Sequence, residues 1–153
     1  MTILVSIRQP VAAWQIPEAA VARLRERCPQ HTVIQATTPE ARAEGLRTCD
    51  VAFTWVLTAE ELATAPRLQW LHSSAVAVGT LCLAELAARS VVVSNSRQIQ
   101  STPIAEHVFA LLLALTRRLP LAFEWQRDAR WAQNEFGGPD LPLVLRGQCL
   151  GVI

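Results

Sequence analysis

A strict alternation constrains this chain more than any other feature. Short apolar runs are followed, again and again, by amphipathic stretches at helical spacing. Ile3-Leu4-Val5-Ser6-Ile7 is the first run, and it stops at Pro10. Pro17 and Glu18 then open a helix through about Arg27, with Ala20, Val21 and Leu24 on one face and arginines on the other. His31 to Gln35 reads as a second strand, and Thr38-Pro39-Glu40 starts a short helix with a capping threonine and a proline at its first position. Asp50 to Trp55 is a third strand, and Thr58-Ala59-Glu60-Glu61 has the pattern of a capping box. Beyond the break at Pro66 come a strand over Leu68 to His72, small residues from Ser73 to Gly79, a helix from about Leu81 to Arg89, and a strand at Val91-Val92-Val93.

Apolar strands alternating with amphipathic helices predict a parallel sheet covered on both faces. Five strands in residues 1–100 suit a flavodoxin-like doubly wound α/β domain, whose ligands bind beyond the carboxyl ends of the strands. Ser101-Thr102-Pro103 then caps a long helix from about Ile104 to Arg118, with arginines expected in the last turn and Leu119-Pro120 closing it. A more polar helix over Leu121 to Trp131 and a loop over Asn134 to Pro142 follow. The domain boundary is expected near Ser101, with residues 101–120 as a crossover and dimer helix and 121–153 as the start of a second domain.

Composition narrows the partners. A formal charge of +1 argues against nucleic acid. Cys28, Cys49, Cys82 and Cys149 form no C-x-x-C pair and have no zinc-ligand spacing, so they read as reduced thiols of a cytoplasmic protein, with no metal. The N-terminus lacks the basic start and small-residue cleavage site of a signal peptide. The longest apolar run, Val108 to Leu115, is far short of the roughly 20 residues that span a bilayer, so no membrane partner is expected. Trp55 and Trp70 are expected in the core, and His72, ending an apolar strand, as a satisfied buried histidine. Adjacent helical residues diverge by roughly 100°, so Glu106 and His107 cannot act on one proton together.

Two stretches after strands have ligand-binding chemistry. Consecutive backbone N–H groups in the loop at Ala75, Val76, Ala77 and Val78 form either a concave donor site suited to a carboxylate or an ordinary small-residue strand-to-helix turn. Asn95 and Ser96 follow the fifth strand, where a polar pair can face a cleft or simply make a turn. At the end of the chain, a turn at Arg146-Gly147 leads into Leu150, Val152 and Ile153, which read as a buried strand. A dinucleotide-binding unit begins in this way and continues into a G-x-G-x-x-G turn; the expectation is a two-domain enzyme cut off one residue before that motif.

Three segments together resemble the N-terminal half of the D-isomer-specific 2-hydroxyacid dehydrogenases. They are Pro66 to Gly79, then Val91-Val92-Val93-Ser94-Asn95-Ser96-Arg97 with Ser101 to Leu115 and its Ala105-Glu106-His107, and finally Trp131 with Leu145 to Ile153. The resemblance implies a nicotinamide cofactor, NAD or NADP, a small 2-hydroxy or 2-oxo acid substrate, and a homodimer through the 104–115 helix. It implies that the amides of Val76 and Ala77 hold the substrate carboxylate, with Ala75 and Val78 beside them. It places Ile104, with Thr102 nearby, at the nicotinamide end of the cofactor, with core packing of the helix as the alternative; Asn95, from its place beyond the fifth strand, is expected to join them as a cofactor-binding residue. Two departures stand out: Ala77 where glycine is usual, and Gly79 where aspartate is usual. If that glycine needs positive φ, alanine would strain the loop. The family's catalytic arginine, glutamate and histidine lie downstream of the glycine turn, so no catalytic residue is assigned. The resulting expectation is a substrate-domain half that neither binds cofactor nor turns over alone. The alternative is a free-standing flavodoxin-like binding or interaction module without catalysis. Arg8-Gln9 and Trp55-Val56 stand where a receiver domain needs acids, Arg8-Gln9-Pro10 stands where a flavodoxin needs its phosphate loop, and no G-x-S-x-G marks a hydrolase.

Overall fold

The computed structural model describes residues 1–7, 11, 14–137 and 141–152. Arg8, Gln9 and Pro10, Gly138 to Asp140 within the expected loop, and the final Ile153 lie outside the described residues. The chain divides into two compact units, Met1–Gln98 and Ile99–Ile153.

In the first unit, β1 (Thr2–Ser6), α1 (Glu18–Arg27), β2 (Thr32–Gln35), α2 (Pro39–Thr48), β3 (Val51–Thr54), α3 (Ala59–Ala63), β4 (Trp70–Ser73), α4 (Leu83–Ala88) and β5 (Val92–Asn95) alternate without exception. All four pairings are parallel, in the order β2-β1-β3-β4-β5. This is the flavodoxin-like doubly wound order, with its switch point between β1 and β3. The capping signals read from sequence are built: Thr38 Oγ1 accepts from the Ala41 N–H, and Thr58 and Glu61 form a reciprocal capping box at α3.

Right-handed crossovers put α2, α3 and α4 on one face of the sheet and α1 on the other. The first face is a dense core in which Leu4, Leu46, Ala52, Leu62, Leu71 and Leu86 are buried. Gly45 lies in the middle of α2 because a Cβ there would stand 2.5 Å from Leu4 Cδ1. On the second face Val5, Val21 and Val51 are buried, but cover fails toward β4 and β5, where Trp70 and Val92 are exposed. The expectation of a fully covered sheet and a core Trp70 is corrected: one short helix cannot shield five strands. Trp55 is only half-buried and stacks on Trp14 with ring centroids 6.3 Å apart.

The second unit is helical. The long helix α5 spans Ser101–Thr116, so Ser101, Thr102 and Pro103 lie inside its first turn and Gln100 is the N-cap. Arg117 follows as the C-cap, and Arg118 adopts a left-handed φ of 56°, which breaks the helix. The expected arginines in the last turn therefore sit just beyond it. Leu119-Pro120 does not close α5. It opens α6 (Leu119–Arg127), because proline in a first turn gives up no helical hydrogen bond. A 3₁₀ turn over Gln133–Glu135 follows. No side chain of α5 or α6 is buried. The strand expected at the chain's end does not form among the described residues: residues 148–152 are irregular, with Leu150 and Val152 exposed. A parallel strand needs a neighbour to bond with, and all the pairings of the sheet lie within β1 to β5.

Candidate functional site

The sheet ends in a polar rim. Register aligns Ser6 with Thr54, Thr54 with Ser73, and Ser73 with Asn95, so the last residues of β1, β3, β4 and β5 lie side by side at the carboxyl edge. Ser6, Thr54 and Ser73 are buried. A buried hydroxyl needs partners, and each has them. Thr54 Oγ1 lies 3.0 Å from the Ser6 carbonyl, and Ser73 Oγ lies 3.2 Å from the Trp55 carbonyl.

Above β1 and β3 opens a cleft of about 480 Å³, lined by Arg42, Leu46, Thr54, Trp55, Val56 and Glu61. Sequence reasoning missed its central feature. Arg42 Nε donates to Glu61 Oε1 at 2.6 Å and Nη2 to Oε2 at 2.9 Å, a two-pronged ion pair. Nη1 donates to Thr54 Oγ1 at 2.7 Å and lies 3.1 Å from Ser6 Oγ, while Nη2 also reaches the Val56 carbonyl at 2.7 Å. Burial alone would raise the Glu61 carboxyl; Arg42 and the Thr58 N–H together outweigh it and hold the group below its ordinary 4.5. The Arg42 donors are saturated by protein acceptors, so this group braces the switch point and does not offer itself to a ligand. The signals present in sequence were a lone arginine on the sheet side of α2 and the acid of a capping box.

The loop after β4 behaves differently. Ser74 N–H donates to the Thr54 carbonyl at 2.9 Å, and Ala75 N–H donates to Ser73 Oγ at 3.2 Å. Ala75 is buried, Val76 and Ala77 are exposed, and Val78 is half-buried and packed against the core. Among the described residues the N–H groups of Val76 and Ala77 have no hydrogen-bond partner. Ser74 Oγ beside them is buried and likewise unpartnered. Ala77 is not among the residues with positive φ, so alanine sits there without backbone strain and the loop needs no glycine at that point. Asn95 Nδ2 donates to the Val76 carbonyl at 2.6 Å. The structure thus brings Ala75–Val78 and Asn95 together.

Thr102 and Ile104 are exposed in the first turn of α5, in the other unit. In that unit a hollow of about 670 Å³ is lined by Trp125, Arg130, Trp131 and Phe136, with Arg130 over the Trp125 ring and ion-paired to Glu135. His72 lies half-buried between two hydroxyls, with Nδ1 2.9 Å from Ser94 Oγ and Nε2 3.2 Å from Ser96 Oγ. Its satisfied state is as expected, but it lies on the open face. Burial pushes the Cys49 thiol up to about 11, and all four cysteines are free. Among the described residues no three His, Cys, Asp or Glu side chains converge as metal ligands, and no helix is long and apolar enough to cross a membrane.

A five-stranded doubly wound parallel sheet with unpaired loop amides at its carboxyl edge defines the class as a flavodoxin-like α/β domain. No family model matches the chain. Individual proteins do. D-3-phosphoglycerate dehydrogenase of Mycobacterium tuberculosis is 30% identical over 125 residues, covering 82% of this chain and 22% of that protein. Glyoxylate reductase of Thermococcus litoralis is 31% identical over 97 residues, covering 61% of this chain and 29% of the reductase. Among solved structures, D-lactate dehydrogenase from Aquifex aeolicus, complexed with NAD and lactic acid, superposes with a TM-score of 0.72 at 20% identity over 94% of this chain and 41% of that one. Over as much as 82% of its length the chain is thus similar to D-isomer-specific 2-hydroxyacid dehydrogenases. It spans 22% to 29% of the length of these two curated relatives.

Proposed function

We propose that this chain is the substrate-domain half of an NAD(P)-dependent D-2-hydroxyacid dehydrogenase, and that it holds a small 2-oxo or 2-hydroxy acid without turning it over alone. The observation that carries the reading is the pair of unpaired N–H groups at Val76 and Ala77, at the carboxyl edge of a parallel sheet. An unpaired donor there costs little while solvated and gains a charge-assisted bond when a carboxylate arrives. Ala75 and Val78 anchor the loop on the core side. Thr102 and Ile104 are the proposed cofactor-facing pair. The 153 residues contain no G-x-G-x-x-G turn, so they do not fit a pyrophosphate, and the chain's own part ends at holding and aiming the acid. The exposed apolar side chains of α5 support a homodimer through residues 104–115. The four free thiols support a reducing, cytoplasmic setting.

Amide NMR during titration with pyruvate or glyoxylate tests the reading. The expected outcome is saturable shifts, largest at Val76 and Ala77, with affinity in the millimolar range for so few contacts (about 4 kcal/mol). Larger shifts around His31 or in the Arg42 cleft would move the site elsewhere.

A further inference from the structure

We infer that Asn95 is a positioning residue: it aims the Ala77 N–H at the acid by holding the other end of the same peptide group. The inference rests on the reading of the loop as a carboxylate site.

The argument begins with peptide geometry. The Val76 carbonyl and the Ala77 N–H belong to one planar unit and point in opposite directions. A donor that fixes the carbonyl therefore fixes the direction of the N–H. Asn95 Nδ2 is that donor, 2.6 Å from the Val76 oxygen and 19 residues away in sequence. Its own backbone is held in β5, opposite Ser73 of β4, so the anchor is part of the sheet while the peptide it grips is in a loop. The grip also polarises the unit: a carbonyl that accepts a hydrogen bond makes its N–H a better donor. Among the described residues no other hydrogen bond holds this peptide: the Val76 and Ala77 N–H groups are unpaired, and the next loop bond runs from the Leu81 N–H to the Val78 carbonyl at 3.0 Å. Without Asn95 the peptide, still anchored on either side by Ala75 and Val78, loses the hydrogen bond that sets its tilt, and ordering it becomes a cost of binding.

The test uses the whole chain, with amide NMR and pyruvate as the probe. In Asn95→Ala the Ala77 amide resonance should move before any ligand is added, while those of Leu71 and Thr54 stay, and pyruvate affinity should fall about tenfold, the worth of one such hydrogen bond. Asn95→Asp, nearly the same shape, cannot donate at neutral pH and sets a carboxylate against a carbonyl, so it should lose at least as much. Ser94→Ala, on the same strand but bonded to Trp70 and His72, should leave both readouts unchanged. Wild-type affinity in both Asn95 variants would overturn the inference, as would an equal loss in Ser94→Ala, which would show a general effect of weakening β5. A wild-type chain whose loop resonances ignore pyruvate would overturn the carboxylate reading itself, and with it this inference.

Discussion

The two units use the same apolar residues to opposite ends. In Met1–Gln98, Leu4, Leu46, Leu57, Leu62, Leu71 and Leu86 are all at most 2% exposed. In Ile99–Ile153, Ala132 is the only hydrophobic residue that is buried among those described, and Leu111, Leu113 and Leu115 of α5 are 45% to 65% exposed. Hydrophobicity does not explain the contrast, for α5 carries the longest apolar run of the chain, Val108 to Leu115. Topology does. Parallel strands stack side chains from distant parts of the sequence into one layer, and crossover helices return to cover it. Two helices in sequence can hide only the stripes that face each other. The first unit carries its own core, and the second leaves most of its apolar side chains exposed.

The strongest way to break this comparison is to make the same deletion in each unit. Leu71→Ala in β4 should cost about 2–5 kcal/mol in urea unfolding, since the side chain is fully enclosed. Leu111→Ala in α5, 52% exposed, should stay within about 0.5 kcal/mol. A loss at Leu111 equal to that at Leu71 would show that α5 is already covered in solution.

The switch-point brace gives the next largest effect. Arg42 is 11% exposed and Glu61 31%. Arg42→Met should cost about 3 kcal/mol, because the carboxylate and the Thr54 and Val56 oxygens lose their shared donor. The pH dependence sharpens the test. Glu61 is held below 4.5 in the fold, so its contribution is complete above that value and is lost as pH falls through the folded pKa. Without Arg42, burial dominates and the folded pKa rises, so the sign reverses and mild acid stabilises the variant. A stability curve identical in shape for both proteins between pH 3 and 7 would count against the brace.

Association tests the second unit directly. If Ile104, Val108, Leu111 and Leu115 meet a second copy, Leu115→Glu, at a position 65% exposed, should weaken dimerisation at least tenfold in sedimentation while leaving the unfolding of the sheet unit unchanged. Burying one such side chain is worth about 1.5–3 kcal/mol. A monomer at tens of micromolar, indifferent to the substitution, would leave the apolar face without this partner.

Much of the sheet unit was legible in the sequence. Each strand announced itself as an apolar run, and Thr38, Pro39, Thr58 and Glu61 marked two helix starts, because these are local signals read over four residues. The α5–α6 junction was misread because Leu119-Pro120 is compatible with an ending or a beginning; the left-handed Arg118 decides it, and arginine gives no sign of that conformation. The loop proposed to hold the acid was singled out by its small residues and its place after a strand. The contacts that organise the rim were not legible. Arg42 with Glu61 and Asn95 with Val76 each join residues 19 apart, and each exists only because a crossover returns the chain to an adjacent position. Nothing in either stretch alone specifies the partner.

The smallest effect concerns how the sheet unit finishes itself. After α4, the Ser90 N–H reaches the Ala87 carbonyl at 2.9 Å and the Val91 N–H reaches the Leu86 carbonyl at 3.0 Å. This pair of bonds is a Schellman closure, which turns the chain from the end of α4 into β5 and brings Val91 into the core beside Leu86. The closing residue must be left-handed, and Ser90 is, at φ 57°. A residue with a Cβ sits there at a cost of roughly 1 kcal/mol, which glycine avoids, though glycine also enlarges the entropy of the unfolded chain. Ser90→Gly should therefore raise the stability of the first unit by about 0.5 kcal/mol, read as a higher urea midpoint at unchanged slope. The matching left-handed residue of the second unit, Arg118 at φ 56°, joins two helices that have no core beneath them. Arg118→Gly should relieve the same local strain and leave the unfolding transition of the sheet unit where it was. Equal gains from both substitutions would mean that the two units unfold as one, which is the finding that would most change the comparison drawn between them.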